Sequence, residues 1–316
     1  MRNRHSRKPM HYISVFSSLF ASLFLASCVS ATAQQLALDS TPGDHGVTHS
    51  DSCNVENIVH NMQDDGAADS SGLDPDSISV LNWNVYKGQR KNWATDFRRY
   101  SHKHDVVIIQ EAHLRNDLKS LLGSDNRHWV MNASFQYQDK ATGVMTASSV
   151  KPVYSCGMRT LEPLIRLPKT SLISLYPVDG MHEKLLVANI HGINFTLGVD
   201  VYKEQIEKLY AVINRHSGPV VLAGDFNSWS AERMQIVEDL AQRLSLQSLD
   251  YTSHNRTRIF GNVLDHVFYR GLEPLEYDTW HVASSDHNPM RVRFRLSRTP
   301  VANGGLAVRE LNEENS

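Results

Sequence analysis

The chain has 316 residues and a formal net charge of −2 at pH 7, with 41% of its residues hydrophobic and 21% charged. This composition is that of an ordinary globular protein, long enough to bury one large core or two small ones. The near-neutral total combines an acidic N-terminal segment with a mildly basic domain, whose charge is far from that of a dedicated nucleic-acid binder. Three cysteines are too few for a disulfide framework. The sequence contains no Gly-rich phosphate loop and no C-x-x-C pair, which argues against a P-loop enzyme and a zinc-ribbon protein.

The N-terminus has the pattern of a secretory signal. Four basic residues among the first eight precede the uncharged run ISVFSSLFASLFLAS, as in the n-region and h-region of such signals. The run ends in LASC, which resembles a bacterial lipoprotein signal with Cys28 as the acylated residue, and Val29 after it favours the outer membrane. Cleavage after ATA at 31–33 and an uncleaved membrane anchor remain open. All three predict export, to the periplasmic side of the outer membrane, the periplasm or the medium.

An acidic segment follows the predicted signal at 1–28. Residues 29–76 carry nine Asp and Glu and no Lys or Arg, which predicts a mostly disordered, self-repelling spacer. Only the stretch 53–62 has helical apolar spacing, and it could dock on the domain that follows. Cys53 in this stretch could pair with Cys156 in an oxidising compartment, although nothing in their spacing argues for it.

The predicted domain covers residues 77–298, and a polar C-terminal tail follows at 299–316. The domain carries 27 Lys and Arg against 22 Asp and Glu, a mild basicity that suits a phosphate-bearing substrate. Apolar patterns predict helices at 92–103, near 115–122, at 201–216 and at 230–244. They predict strands at 78–85, 105–112, 128–135, 143–148, 171–178, 184–192, 220–227, 264–271, 276–282 and 288–296. This alternation predicts an α/β fold, and the number of strands per helix favours two packed sheets.

Polar residues of similar chemistry end the predicted core strands. They are Asn84, Glu111, His191, Asp225, Asn227, Asp265, Asp286 and His287. Any one of them has a structural interpretation as a cap, a turn residue or a solvated side chain. Ligand sites of α/β sheets form at the carboxyl ends of strands, so the complete set predicts a functional site there.

The ordered motifs WN, QE, IH, GDFN, LD and SDH resemble those of the endonuclease/exonuclease/phosphatase superfamily, over about residues 78–296. The stretches HGINFTLGVDVYKEQIEKLYAVINRHSGPVVLAGDFNSWS and FGNVLDHVFYRG are similar to the YafD-like bacterial subgroup. The resemblance implies a four-layer α/β sandwich, in which two mixed β-sheets lie between helices.

The resemblance also implies a divalent metal at the strand ends. Glu111 and Asn84 would supply the hard oxygen ligands that Mg²⁺ favours, with Mn²⁺ as an alternative ion, and Asp286 would supply a second carboxylate. Mg²⁺ keeps several waters and uses few protein carboxylates, so one Glu on one strand can suffice.

Each remaining residue has an implied role. Asp225 would orient or deprotonate the attacking water, and Asn227 would donate a hydrogen bond in the transition state. Their two-residue spacing puts both on the same side of an extended stretch, and a simple turn is the alternative interpretation. Asp265 would orient the His287 imidazole and favour its charged form, and His191 would contact the phosphate. No Tyr or carboxylate partner of His191 is evident, so the leaving-group acid stays open.

Three functions are compatible with these residues. The favoured one is a metal-dependent phosphodiester hydrolase, a monomeric nuclease outside the cytoplasm with an N-terminal membrane anchor. Arg256 and Arg258 could reach a nucleic-acid backbone, although exposed Arg is commonly only solvated. The second function is a phosphatase or phospholipase of the same fold that acts on lipid or inositol phosphates. The third is a non-catalytic lipoprotein that uses the fold for binding, and the complete polar set argues against it.

Overall fold

The computed structural model describes residues 29–31, 37–40, 52–63, 71–251 and 255–297. The predicted signal with Cys28, much of the acidic spacer and the tail at 299–316 lie outside these residues. Within the described ranges, no helix is long and apolar enough to cross a membrane.

Strands and helices alternate along the chain. The strands are β1 (Val29–Ala31), β2 (Ala37–Ser40), β3 (Ile78–Asn84), β4 (Val106–His113), β5 (His128–Tyr137), β6 (Lys140–Ser148), β7 (Tyr154–Leu161), β8 (Pro168–Tyr176), β9 (Leu185–His191), β10 (Val220–Asp225), β11 (Gln247–Ser248), β12 (Arg258–Ile259), β13 (Asn262–Val263), β14 (Asp265–Arg270), β15 (Leu272–Thr279) and β16 (Met290–Leu296). The α-helices are α1 (Val55–Gln63), α2 (Trp93–Ser101), α3 (Asn116–Ser124), α4 (Asp200–Ile213) and α5 (Ala231–Arg243).

The strands form two mixed sheets and one small hairpin. The first sheet has six main strands in the order β5–β6–β4–β3–β16–β15, and the short strands β1 and β2 both pair with β5. The second sheet has the order β11–β14–β10–β9–β8–β7, and β12 pairs with β13 alone. Each sheet contains one parallel pair, β3 with β4 and β9 with β10, and its other pairs are antiparallel.

Helices cover the outer faces of the two sheets, which pack against each other. The core between the sheets contains Val80 and Ile108 from the first sheet and Val187 and Val221 from the second. A second apolar cluster joins the first sheet to α2 and α3, and a third joins the second sheet to α1, α4 and α5. The predicted four-layer α/β sandwich is therefore confirmed.

A disulfide between Cys53 and Cys156 attaches α1 to the second sheet. The Cys53 N–H donates to the Gly157 carbonyl at 3.3 Å, and Ile58 is fully buried against the layer formed by α4 and α5. The helical stretch in the acidic segment thus docks on the domain. The described parts of 29–76 contain this helix and the two short strands on β5. The predicted spacer stays a prediction for the other residues of the segment.

One long strand was not predicted from the sequence. Strand β7 pairs with β8 along its whole length at the edge of the second sheet. Gly157 and the polar residues around it interrupt the apolar alternation that would mark a strand, and pairing with β8 supplies the backbone hydrogen bonds instead.

The two parallel pairs direct their carboxyl ends to one side of the molecule. Asn84 at the end of β3 lies opposite Gln110, the residue before Glu111. In the second sheet, Asp225 at the end of β10 lies between His191 of β9 and Asp265 of β14. The register therefore gathers the polar strand ends of both sheets.

Buried amides join the two sheets directly beneath these strand ends. Gln110 Nε2 donates to Asn82 Oδ1 at 3.0 Å and to Asn189 Oδ1 of the second sheet at 2.8 Å. Asn189 Nδ2 in turn donates to the carbonyls of Ile109 and Met145, at 3.1 and 2.9 Å. Because a buried amide is costly unless it is hydrogen-bonded, these contacts favour one alignment of the sheets.

Candidate active site

Asp225 lies at the centre of the polar cluster and is 2% exposed. Its Oδ1 accepts the Asn227 N–H at 2.9 Å, and its Oδ2 accepts Asn84 Nδ2 at 3.0 Å. His191 Nε2 and His287 Nε2 both lie 3.6 Å from Oδ2. One buried carboxylate oxygen thus faces an amide and two imidazoles, which leaves it positioned to accept a proton from a bound water.

Asp265 and His287 form a closely hydrogen-bonded pair. His287 Nδ1 lies 2.8 and 3.0 Å from the two Asp265 carboxylate oxygens. Burial by itself lowers the pKa of His287, but the charges of Asp265 and Asp225 outweigh it and raise the pKa to about 10. Trp83 Nε1 donates to the His287 carbonyl at 2.9 Å and holds the backbone in place. The arrangement favours a charged imidazole that can donate from Nε2.

Asn227 adopts a left-handed backbone conformation with φ of 51°. The structure therefore departs from the expected extended stretch, because Asp225 Oδ1 accepts the Asn227 N–H and closes a local turn. Asn227 Nδ2 donates to the Gly192 carbonyl at 2.9 Å. A Cβ at Gly192 would lie 2.3 Å from the Phe226 carbonyl oxygen, so only glycine fits this close approach. At residues 224–229, a local turn and a functional role of Asp225 and Asn227 are therefore compatible.

Glu111 also has an unusual backbone, with φ of 51°. It lies on an irregularity in β4, where the pairing with β6 shifts between Ile109 and Ala112. Left-handed conformations of non-glycine residues are costly and recur at functional sites. The bulge turns the Glu111 side chain towards the cluster, since His191 Nε2 lies 3.9 Å from Glu111 Oε1.

Lys87 forms an ion pair with Glu111 that the sequence did not suggest. It lies in the short 3₁₀ turn after β3 and has φ of 56°. Burial by itself raises the pKa of Glu111, but the charges of Lys87 and Lys169 hold that pKa well below its usual range. Glu111 is therefore a carboxylate that is already in contact with a cation.

The residues predicted to hold the metal lie around this cation. The charges of Glu111 and of Asp286 both raise the pKa of Lys87, although burial opposes them. Carboxylate oxygens are hard donors that suit Mg²⁺ or Mn²⁺, so Glu111, in direct contact with the Lys87 ammonium, fits a divalent ion, and Asp286 is the second carboxylate whose charge acts on that ammonium. Asn84 fits less directly, because its Oδ1 already accepts the Tyr86 N–H at 3.1 Å.

A second group also has ligand atoms close enough for a metal. Atoms of Asp225, Asp265 and His287 lie within 4.8 Å of one another, and all three residues are buried. However, His287 Nδ1 already contacts both Asp265 oxygens, so an ion there would have to replace a proton between them. An ion at Glu111 would instead have to displace the Lys87 ammonium from that carboxylate.

Lys169 is the partner of His191 that the sequence left open. Its Nζ lies 2.8 Å from His191 Nε2, whereas a Tyr or a carboxylate had been sought. Burial, and then the charge of Lys169, lower the pKa of His191 to about 3, so the imidazole is neutral and accepts from the ammonium. The only signal in the sequence is a Lys near the start of the otherwise apolar strand β8.

Of the two arginines named above, only Arg256 contacts the cluster. Its Nη2 donates to the Asp265 carbonyl at 2.9 Å. Arg258 is exposed on β12, and its Nη1 donates to the Gly261 carbonyl at 2.8 Å within the same hairpin. The hairpin also carries Phe260, which is 78% exposed, and its ring lies 6.3 Å from that of Trp229.

Comparisons with known proteins agree with this geometry. The model described as Endonuclease/Exonuclease/phosphatase family matches residues 81–287. A UPF0294 protein of Yersinia enterocolitica is 40% identical over 219 residues, which cover 69% of this chain and 84% of that protein. This relative is consistent with the resemblance to the YafD-like subgroup.

Solved structures share the fold at low sequence identity. An endonuclease/exonuclease/phosphatase from Beutenbergia cavernae has a TM-score of 0.53 and 17% identity, over 70% of this chain and 72% of that chain. The human Nocturnin catalytic domain with bound sulfate anion has a TM-score of 0.55 and 16% identity, over 72% of this chain and 97% of that chain. These two similarities show the fold alone.

Proposed function

Because this chain belongs to the endonuclease/exonuclease/phosphatase family of metal-dependent phosphoesterases, we propose that it is a nuclease that hydrolyses phosphodiester bonds outside the cytoplasm. The main observation is the buried Asp225 carboxylate, which faces two imidazoles at 3.6 Å. A phosphodiester is an anion that repels hydroxide, so its hydrolysis needs a base for water and hydrogen-bond donors for the phosphoryl oxygens. The cluster contains both.

The residues divide the reaction between them. Asp225 accepts a proton from the attacking water, whose oxygen bonds to phosphorus as the bond to the leaving oxygen breaks. His287, oriented by Asp265, donates from Nε2 to a phosphoryl oxygen. The ammonium of Lys169, which donates to the neutral His191, adds a positive charge beside Asp225.

Glu111 and Asp286 would hold the divalent ion, with Lys87 moving aside from Glu111. The ion supplies the positive charge that neutralises the phosphoryl group as negative charge develops. This assignment is supported by the ion pair between Glu111 and Lys87, and by the charge of Asp286, which also acts on that ammonium.

The proposed location is supported by the disulfide between Cys53 and Cys156. Stable disulfides form in oxidising compartments and are rare in the cytosol. We therefore propose export by the N-terminal segment, with acylation of Cys28 on the periplasmic side of the outer membrane. Membrane fractionation with acyl labelling of the wild type and of Cys28→Ala tests this, and a cytosolic wild type would contradict it.

A lipid or inositol phosphate is the second candidate substrate. One observation favours it: the hairpin beside Trp229 exposes Phe260 and Ile259, which are 78% and 40% exposed. Apolar side chains at the rim of an active site could contact acyl chains as well as bases. The same assay must therefore include both substrate classes.

The deciding experiment is a hydrolysis panel with Mg²⁺ and with Mn²⁺. It would compare single- and double-stranded DNA, RNA, sphingomyelin and inositol phosphates, for the wild type and for Glu111→Gln. We expect activity on nucleic acid that chelator abolishes and that Glu111→Gln loses, because the amide keeps the shape but removes the charge that binds the ion. Undiminished hydrolysis in excess chelator would contradict the proposal, and activity on the lipid alone would select the second candidate.

A further inference from the structure

A basic groove lies on the outer face of the first sheet, away from the candidate active site. It is a cavity of about 710 Å³ between α2 and the strands β15 and β16. Its cationic walls are Arg99 and Lys103 on one side and Arg291 and Arg293 on the other. None of these four residues contacts Asp225 or Glu111 among the described interactions.

The groove follows from the pattern of β16. Met290, Val292 and Phe294 point into the core between the sheets and are at most 1% exposed. The alternate residues Arg291 and Arg293 must then point outward, beside the part of the sheet that α2 covers. The result is a row of guanidinium groups on an open sheet surface.

Positive charge dominates the groove. Four cations and one carboxylate, Glu276, line the groove, and Glu276 lies 2.8 Å from Arg293 and 3.6 Å from Arg291. Arg99 and Lys103 have no carboxylate partner in the described part of the chain. Unneutralised cations in a concave surface attract an anion.

Aromatic rings form another wall of the groove. Tyr100 and Trp280 stack with their centroids 4.6 Å apart and an interplanar angle of 16°. The Arg291 guanidinium lies 5.1 Å from the Trp280 ring centre, and that of Arg99 lies 5.6 Å from Tyr100. These contacts hold the two guanidinium groups in place, which lowers the entropic cost of binding an anion.

The groove and the active site lie at opposite ends of β3. Ser79, which lines the groove, and Asn84 are five residues apart, and at about 3.3 Å per residue this places them roughly 17 Å apart. A strand of duplex nucleic acid has a phosphate about every 3.4 Å, so it would span this distance with about five phosphates. We propose that the groove binds the phosphate backbone of a polynucleotide whose scissile bond lies at the active site. This inference rests on the proposed nuclease function.

The test is binding of fluorescein-labelled oligonucleotides to the full chain in chelator, measured by anisotropy. Arg99→Gln/Lys103→Gln removes two groove charges, and Lys203→Gln/Arg215→Gln removes one exposed Lys and one exposed Arg near α4, in the helical layer of the other sheet. We expect the groove variant to bind a single-stranded 16-mer about tenfold more weakly than wild type at low salt. Its slope of log K against log salt should fall by about 1.4, since each lost contact on a single strand removes about 0.7. The control pair should match wild type.

Several outcomes would overturn the inference. The first is equal binding of the 16-mer by the groove variant and the control pair. The second is full displacement of the 16-mer from the wild type by millimolar inorganic phosphate. The third is a groove variant that binds the 16-mer like wild type but no longer binds phosphatidylglycerol vesicles. Hydrolysis of bis(p-nitrophenyl) phosphate by the wild type with Mn²⁺ tests the proposed function separately. If that hydrolysis is absent while groove-dependent binding is present, the proposed function fails, and of the inference only the binding of a phosphate backbone in the groove stands.

Discussion

Asp225→Asn separates the proposed chemistry from the fold more sharply than any other single change. The substitution keeps an oxygen that can accept the Asn227 N–H at 2.9 Å. It replaces the other oxygen, which accepts Asn84 Nδ2 at 3.0 Å and faces two imidazoles at 3.6 Å, by an NH₂ group. Loss of the base should lower turnover by about a thousandfold, within the range typical of general-base catalysis, which is about 4 kcal/mol of transition-state stabilisation.

The same change should cost only a little stability. One buried hydrogen bond to Asn84 becomes a contact between two donors, so unfolding should become easier by about 1–3 kcal/mol. The assay is the initial rate of hydrolysis per folded molecule, with the folded fraction taken from urea unfolding. Asp239→Asn is a matched control, since Asp239 is exposed on α5 and accepts Gln235 Nε2 at 2.9 Å. Turnover within threefold of wild type would refute the assignment of Asp225 as the base.

Three further predictions concern residues away from Asp225. Replacing both Cys53 and Cys156 by Ser should lower the free energy of unfolding by about 2–5 kcal/mol, because the bridge closes a loop of about 100 residues; denaturant unfolding that matches wild type would contradict it. Burial lowers the pKa of His216 to about 4, below its unfolded value, so the unfolded state binds more protons between about pH 6.5 and 4. Stability should therefore fall as pH falls through this window, by up to about 3 kcal/mol for this residue, and His216→Gln should flatten the dependence in pH-resolved urea unfolding. Lys169→Met should lower turnover by about tenfold to a hundredfold and raise the pKa of His191, because the ammonium at 2.8 Å is removed; NMR titration of the imidazole measures the shift, and an unchanged pKa would show that burial alone controls it.

The layers of the fold were predictable because the apolar residues that mark strands and helices in the sequence are the residues that are buried in the structure. The β-branched run that contains Val106 and Val107 forms a strand buried on both sides, and the helical spacing of Ile206 and Leu209 places them in the core of the second sheet. Strand β7 lacked such a pattern, and only its partner β8 specifies it. The disulfide was not predictable either, because two cysteines 103 residues apart in the sequence can be near or far from each other in the fold.

For the candidate site, the sequence identified residue types but not their contacts. The carboxylates and imidazoles were recognisable because their chemistry is specific and each lies near an end of a predicted strand. Lys87 and Lys169 were missed because lysines are usually solvated, and only the folded chain shows that one contacts Glu111 and the other His191. The positive φ of Glu111 depends on the bulge in β4, which arises from pairing with β6 and not from a glycine.

The amide bridge between the sheets has a consequence for how this protein can change. Asn84 and Glu111 come from one sheet, and His191, Asp225 and Asp265 come from the other, so the distances between these two groups depend on the relative position of the sheets. Apolar residues at Gln110, Asn82 and Asn189 would pack at many offsets with similar energy, whereas the hydrogen bonds donated by Gln110 Nε2 and Asn189 Nδ2 form at one. The network is only partly satisfied, since Asn82 Nδ2 and Gln110 Oε1 have no partner among the described residues. Selection for greater stability would favour apolar substitutions at these three positions, and selection for activity would oppose them. Selection for stability and selection for activity therefore act in opposite directions on the same three hydrogen-bonded residues.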